Sequence, residues 1–168
     1  MPDRPVHVAL GVIVDAPPEA LWAAVTDWER QSEWMLGTRV RVVAGPAEGV
    51  GARLEAFTGV GRAGFVDSMV VTEWDPPWRA TVLHTGRVVR GTGLFEVLAL
   101  PGGRSRFVWS EDLELPLGLV GRLGFPVVRP VFLAGVRASL ARLAAAVESA
   151  VSAGSADSAD PLTRGSAE

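Results

Sequence analysis

Few residue types in this sequence are able to carry chemistry. All 16 basic residues are arginines, and the chain contains no lysine, cysteine or tyrosine. These absences exclude a lysine Schiff base, a cysteine nucleophile, thiolate metal sites, disulfides and a phenol acid. Acid–base chemistry therefore falls to carboxylates and to the two imidazoles, His7 and His84.

Two of these side chains, His84 and Glu111, are candidate catalytic residues. His84 ends a predicted strand, where it is either a general base or a solvated hairpin residue. Glu111 interrupts an apolar strand face. Either it pairs with Arg122 or Arg129 at a rim, or it orients a polar group of a ligand together with an arginine.

The predicted strand register keeps these two candidates apart. A two-residue hairpin loop at Thr85-Gly86 places His84 opposite position 87, and a three-residue loop at 102–104 places Glu111 opposite Phe95. The candidates are then separated by about 27 Å along the sheet, at 3.4 Å per residue. The sequence thus predicts that they do not form a dyad.

The elements that position these residues follow a simple order. Alternation predicts a strand over 7–14, and helical spacing after Pro17-Pro18 predicts a helix to Thr26 and a short second helix over 27–34. Strand patterns separated by turn residues then extend to Leu115. They cover 39–42, 53–57, 65–74, 78–84, 88–100 and 105–115. Seven strands with short connections predict an antiparallel sheet.

Beyond Pro116 the hydrophobic period becomes helical. An apolar stripe predicts a helix from about Pro130 to Val151, roughly 33 Å long at 1.5 Å per residue. Its members are Phe132, Val136, Leu140, Leu143 and Val147. Pro126 and Pro130 are expected to kink or split the approach to this helix. Residues 152–168 are small and polar and are expected to form a disordered tail, so a single domain spans 1–151.

One face of the predicted sheet is apolar, and we assign it to the helix side. Its members are Val82, Val89, Phe95, Val97, Phe107, Trp109 and Leu113. Gly91 and Gly93 lie on the same face and fill no space there. A curved sheet that packs on a helix, with glycine opposite aromatic residues, favours a cavity over a solid core.

Short motifs carry a resemblance to a known family. The first strand leads into Val14-Asp15-Ala16-Pro17, followed by Leu21-Trp22 and Glu33-Trp34, and later come a Trp74–Pro77 turn and the strand Gly102–Glu111. These motifs resemble those of the START and birch-pollen-allergen superfamily, in its bacterial polyketide cyclase/dehydrase branch. The resemblance covers 6–151. It implies an α+β helix-grip fold, in which a seven-stranded curved antiparallel sheet wraps around a long C-terminal helix.

The resemblance and the apolar face together give a candidate ligand-binding set. In a helix-grip fold Trp34 would lie near the cavity entrance, and Arg129 lies near the helical phase of Val136. The set is Trp34, Val82, His84, Phe95, Trp109, Glu111, Arg129, Phe132 and Val136. Cyclases of the family often use pocket tyrosine, arginine, serine or histidine for proton transfer, and this chain departs from that pattern in lacking tyrosine.

Composition and motifs exclude several other classes. A net charge of −3 argues against nucleic acid as a partner. The letters Gly59-x-Gly-x-x-Gly64 precede a strand, so they provide no helix N-terminus for a phosphate. No motif supports a metal or any cofactor. The N-terminus lacks a signal peptide's apolar core, and arginines interrupt the longest apolar stretch, so a cytoplasmic protein without an integral membrane segment is expected.

Three function classes remain. The first is a carrier or binder of a mostly apolar small molecule, of lipid or polyketide/aromatic type, between the sheet and the C-terminal helix. The second is a cofactor-independent aromatase/cyclase- or dehydratase-like enzyme that uses His84 or an arginine–glutamate pair in the same cavity. The third is an interaction module whose basic helix and tail bind a protein. A carrier needs a cavity with few polar groups, whereas an enzyme needs titratable groups that converge on one point.

Overall fold

A computed structural model describes residues 6–86, 89–114 and 118–158, and their side chains except those of 118–128 and 157–158. Within these residues the chain forms seven strands, two α-helices and one short 3-10 helix, in the predicted order. The first strand, β1 (Val6–Val14), is followed by α1 (Pro18–Thr26) and the 3-10 helix (Glu29–Glu33). Six strands and the long C-terminal helix come next. They are β2 (Thr38–Ala44), β3 (Arg53–Val60), β4 (Ala63–Asp75), β5 (Arg79–His84), β6 (Arg90–Leu100), β7 (Arg104–Glu114) and α2 (Gly118–Ser158).

All seven strands form one antiparallel sheet in the order β1-β7-β6-β5-β4-β3-β2. The strands from β2 to β7 pair with their neighbours in sequence, whereas β1 pairs with β7. The sequence therefore predicted both the fold class and the antiparallel sheet correctly. Short glycine-containing turns allow consecutive strands to pair in an antiparallel way. In the turn before β7, for example, Gly102 and Gly103 adopt positive φ angles of 81° and 72°.

The register of β5, β6 and β7 differs from the prediction. His84 lies opposite Gly91, and Glu111 lies opposite Gly93. The Thr85 N–H donates to the carbonyl oxygen of Ser68 on β4, so the chain continues along β4 beyond His84 instead of turning. The predicted separation of about 27 Å between His84 and Glu111, at 3.4 Å per residue, is therefore wrong. Their partner positions on β6 are only two residues apart.

The C-terminal helix is longer than predicted. The helix α2 is assigned without a break from Gly118 to Ser158, so the expected split at Pro126 and Pro130 is not observed. A proline inside a helix removes one backbone hydrogen bond and crowds the carbonyl four residues earlier, which can bend a helix without ending it. The helix also includes 152–158, which were expected to begin a disordered tail, and the Ser155 hydroxyl donates to the carbonyl of Val151 there. The rest of that predicted tail, 159–168, lies outside the described residues.

The core lies where α1 and α2 meet the sheet. Leu140, Leu143 and Val147 of the predicted stripe are buried in one cluster with sheet residues such as Phe107 and Val97. By length and composition, the part of α2 over 129–156 is also apolar enough to cross a membrane. Its buried stripe packs on the sheet, as in the core helix of a soluble fold.

Candidate functional site

A cavity of about 370 Å³ lies between the sheet, the 3-10 helix and α2. Its lining is mostly apolar and comes from strands β2 to β7 as well as from both helical segments. The apolar residues around it include Trp28, Trp34, Met35, Val40, Leu54, Met69, Val82, Phe95, Trp109, Phe132, Val136 and Leu140. The structure thus contains a hollow interior where Gly91 and Gly93 led us to expect one.

The cavity brings together eight of the nine residues in the sequence-derived ligand-binding set. The exception is Arg129, which is exposed and does not line the cavity. It lies two residues before Val131, the first described residue of α2 that lines the cavity, and full burial along α2 begins at Ser139. The expected pairing of Glu111 with Arg129 is therefore wrong, and the Arg122 side chain lies outside the described residues.

A buried hydrogen-bonded array occupies one wall of the cavity. His84 Nδ1 lies 2.6 Å from Asp67 Oδ2, and His84 Nε2 lies 2.9 Å from Glu111 Oε2. The three residues come from β4, β5 and β7, and each is less than 9% exposed. We call Asp67, His84 and Glu111 the polar array. It is the only cluster of charged side chains that lines the cavity within the described parts of the chain.

Glycine at position 93 makes the contact between His84 and Glu111 possible. Gly93 lies directly opposite Glu111 on β6. A Cβ atom at this position would lie 2.8 Å from Glu111 Oε1 and 2.9 Å from Val82 Cγ2. Because glycine leaves this space empty, the Glu111 carboxylate lies over β6 and reaches the imidazole on β5.

The hydrogen bonds fix the proton count of the array. Both contacts are satisfied when a cationic His84 donates to two carboxylates, or when a neutral His84 donates to Asp67 and accepts from a protonated Glu111. The two arrangements differ only in the position of one proton between Nε2 and Oε2, so His84 and Glu111 titrate as a pair. In either arrangement the array carries one net negative charge.

Burial and the two carboxylates have opposite effects on the pKa of His84. Burial lowers its pKa, but the hydrogen bonds and charges of Asp67 and Glu111 outweigh this and raise the pKa to about 9. Burial also raises the pKa of Glu111, while the hydrogen bond and charge of His84 lower it. The array therefore holds a proton at neutral pH at a position that faces the cavity, as acid–base chemistry requires.

The hydroxyl side chains around the cavity are bonded within the protein. The Ser139 hydroxyl donates to the carbonyl of Gly135 and accepts from the N–H of Leu36. The hydroxyls of Thr38 and Thr58 lie 3.1 Å apart and bond to each other. These groups offer little to a ligand, so the polar array dominates its recognition.

Three buried polar atoms of the lining residues have no hydrogen-bond partner. They are Oδ1 of Asp67 and the indole Nε1 atoms of Trp28 and Trp34. The two tryptophans flank the 3-10 helix, and with Gln31 they recur every third residue, which aligns them on one face of such a helix. Unpaired buried polar atoms are costly, so each of these three calls for a partner such as a bound water or a ligand group.

Within the described residues, no group of three or more histidine, aspartate or glutamate side chains has the arrangement of a metal site. The array instead has the hydrogen-bonding geometry of an imidazole held between two carboxylates, with both ring nitrogens occupied.

Comparison with known proteins identifies the family. The family described as polyketide cyclase/dehydrase and lipid transport matches residues 5–148. The chain belongs to this family. No curated protein matches the chain. The predicted resemblance to the polyketide cyclase/dehydrase branch is therefore confirmed, and membership indicates binding of a hydrophobic ligand or a role in polyketide cyclisation without choosing between them.

Solved structures share the fold of this polyketide cyclase/dehydrase family member. The protein TTHA0849 from Thermus thermophilus is 22% identical with a TM-score of 0.72, over 86% of this chain and 99% of that one. The Zhui aromatase/cyclase from Streptomyces sp. R1128 is 18% identical with a TM-score of 0.69, over 87% and 95%. A START superfamily protein from Mycobacterium smegmatis is 15% identical with a TM-score of 0.66, over 82% and 96%. At these identities the similarity shows the fold alone.

Sequence reasoning did not identify Asp67 as part of the site. The only available signal was alternation along β4, where Phe65, Asp67 and Met69 all line the cavity. A register shift between Val71 and Glu73 interrupts that alternation, and Trp74 is the next residue that packs against the core. A single uninterrupted pattern over 65–74 therefore did not reveal which side chains face inward.

Proposed function

We propose that this protein binds a mostly apolar small molecule, of lipid or polyketide/aromatic type, in the cavity between the sheet and α2. The observation that carries the proposal is the cavity itself, whose volume of about 370 Å³ falls within the usual range for ligand sites. The rings of Trp109 and Phe132 lie 6.2 Å apart across β7 and α2. Such aromatic walls offer contact area to rings and to acyl chains.

Native mass spectrometry of protein purified from its own host tests this proposal. We expect a co-purifying small molecule that is released on denaturation. Val136→Trp places a large side chain in the cavity and is expected to abolish this adduct. Ala145→Trp, on an exposed face of the same helix, is the matched control and is expected to retain it. A Val136→Trp protein that is folded and still carries the same ligand would show that the molecule binds elsewhere.

A second candidate function is favoured by the polar array. An aromatase/cyclase- or dehydratase-like enzyme acting on a polyketide-type substrate needs one group to take a carbon-bound proton and another to protonate the departing hydroxyl. In a dehydration the array would accept the proton from carbon and deliver one to the hydroxyl. The C–O bond breaks, a C=C bond forms and water leaves. The proton count of the array is then unchanged after each turnover.

Turnover of a β-hydroxy ketone with an aromatic or polyketide chain tests this second candidate, with loss of water followed by mass spectrometry. If the array is catalytic, His84→Gln and Glu111→Gln each lower the rate at saturating substrate by about 10²- to 10⁴-fold. His7→Gln, which removes the exposed second histidine, is the control and retains the rate. Equal rates in His84→Gln and the unmodified protein would exclude acid–base catalysis by the array.

A further inference from the structure

The polar array has acceptors to offer a ligand but no free donor. Both ring nitrogens of His84 are used on the two carboxylates. The remaining polar atoms of the array are carboxylate oxygens of Asp67 and Glu111, and the Glu111 carboxylate also accepts a hydrogen bond from the Trp109 side chain. An ionised carboxylate only accepts hydrogen bonds. A molecule that contacts this wall therefore satisfies it by donating.

The net charge around the cavity also favours a ligand that donates hydrogen bonds over one that carries a negative charge. Either position of the shared proton leaves the array with one net negative charge. No arginine lines the cavity among the residues that the structure describes, and the sequence contains no lysine. Charges of the same sign repel strongly where little water separates them. An anionic group placed beside Asp67 and Glu111 would face this repulsion, and none of the described lining residues is an arginine that could offset it.

Polar groups elsewhere in the lining do not supply an alternative anion site. The Ser139 hydroxyl and Gln31 Nε2 each donate to a backbone carbonyl. In the Thr38–Thr58 pair one hydroxyl donates to the other, which leaves a single neutral hydroxyl donor. The unpaired indole N–H groups of Trp28 and Trp34 are single neutral donors enclosed by neighbouring atoms. Neither provides the charged, multiple-donor arrangement that usually binds carboxylates and phosphates.

We infer that the molecule bound in this cavity presents an uncharged or cationic hydrogen-bond donor, a hydroxyl or an amine, to the polar array, and that the cavity selects against carboxylates and phosphates. This inference rests on the proposed binding function and specifies its ligand class. The inference excludes free fatty acids as ligands and admits alcohols, phenols, enols and amines with the same apolar body.

Three probes that share one ten-carbon chain test the inference: decanol, decylamine and decanoate. Each is titrated into the full-length protein by calorimetry at neutral pH, below its solubility limit and its critical micelle concentration. We expect decanol and decylamine to bind, and decanoate to bind at least about tenfold more weakly than decanol. Decanoate binding as tightly as decanol would overturn the inference and leave the proposed function intact. Failure of all three probes to bind would overturn both.

Variants show whether the array causes the discrimination. The double variant Asp67→Asn/Glu111→Gln removes both carboxylates, and we expect decanoate and decanol to bind it within about threefold of each other. Asp112→Asn removes an exposed carboxylate from the same strand and is expected to keep the unmodified ratio. A folded double variant that still rejects decanoate would overturn the inference. If the double variant does not fold, the inference is judged on the ratio of decanol to decanoate affinity in the unmodified protein and in Asp112→Asn. A ratio of at least about tenfold in both supports the inference, and equal affinities overturn it.

Discussion

Raising the pH from about 6.5 to about 9 should destabilise this protein through one side chain, His84. Its pKa is about 9 in the folded state and near 6.5 in an unfolded chain. A raised pKa means that the stabilisation is fully present below about pH 6.5 and is lost as the pH rises through about 9. At 1.36 kcal/mol per pH unit, this difference corresponds to on the order of 3 kcal/mol.

The composition of the chain leaves few other groups to contribute to the pH dependence of the unfolding free energy in this range. Lysine, tyrosine and cysteine are absent, so the usual groups that titrate at alkaline pH do not contribute. His7 carries the other imidazole of the chain. His7 is exposed and lies 2.9 Å from Asp112, which follows Glu111 on β7 and so faces the other side of the sheet. His7→Gln is therefore a matched control that removes an imidazole without touching the polar array.

Urea unfolding followed by tryptophan fluorescence, repeated across this pH range, gives the free energy of unfolding at each pH. We expect it to fall by about 3 kcal/mol in the unmodified protein and in His7→Gln, and to stay nearly flat in His84→Gln. Titration of the two imidazoles by NMR gives the pKa of His84 directly. A flat profile in the unmodified protein, or a full pH-dependent loss in His84→Gln, would refute the assignment of the buried charge to this array.

Two further pairs of changes test the packing that supports the site. Gly93→Ala puts a Cβ within 2.8 Å of Glu111 Oε1, so we expect a loss of about 1–3 kcal/mol and a lower His84 pKa by NMR. Gly135→Ala meets open space on α2 and should be neutral or stabilising by up to about 1 kcal/mol in urea unfolding. Leu143→Ala removes a fully buried side chain and should cost about 2–5 kcal/mol, whereas Leu98→Ala, 47% exposed, should cost far less. Equal losses within either pair would contradict the packing described here.

Local sequence patterns were sufficient to predict the elements of this fold. Alternating apolar residues, Gly-Gly turns and the apolar stripe of Leu140, Leu143 and Val147 each reflect short-range geometry, and each reappears in the structure. The two ends of α2 were harder to predict, because helix boundaries depend on packing as well as on propensity. Prolines at 126 and 130 and the small residues after Val151 read locally as breaks, yet the helix continues through both.

The site was harder to predict because it depends on register. A strand slip by an even number of residues leaves each side chain on the same face. For this reason the apolar face and its cavity were predicted correctly despite the incorrect loop lengths. The partner of His84 moved by four positions along β6, from 87 to 91, and the partner of Glu111 moved two positions back, from 95 to 93. These shifts reduce the separation from eight residues to two, which converts two remote candidates into a hydrogen-bonded pair.

Asp67 completes the array and shows why a pair of candidates was not enough to predict its chemistry. With Glu111 alone, His84 would keep one ring nitrogen free and could serve either as donor or as acceptor toward a ligand. The 2.6 Å contact with Asp67 engages Nδ1, which directs Nε2 and its proton toward Glu111. A second carboxylate, from a third strand, thus changes the wall from an amphoteric imidazole to an acceptor with a net negative charge. The ligand class follows from that change, since the same cavity without Asp67 would have no reason to prefer a donor over a carboxylate.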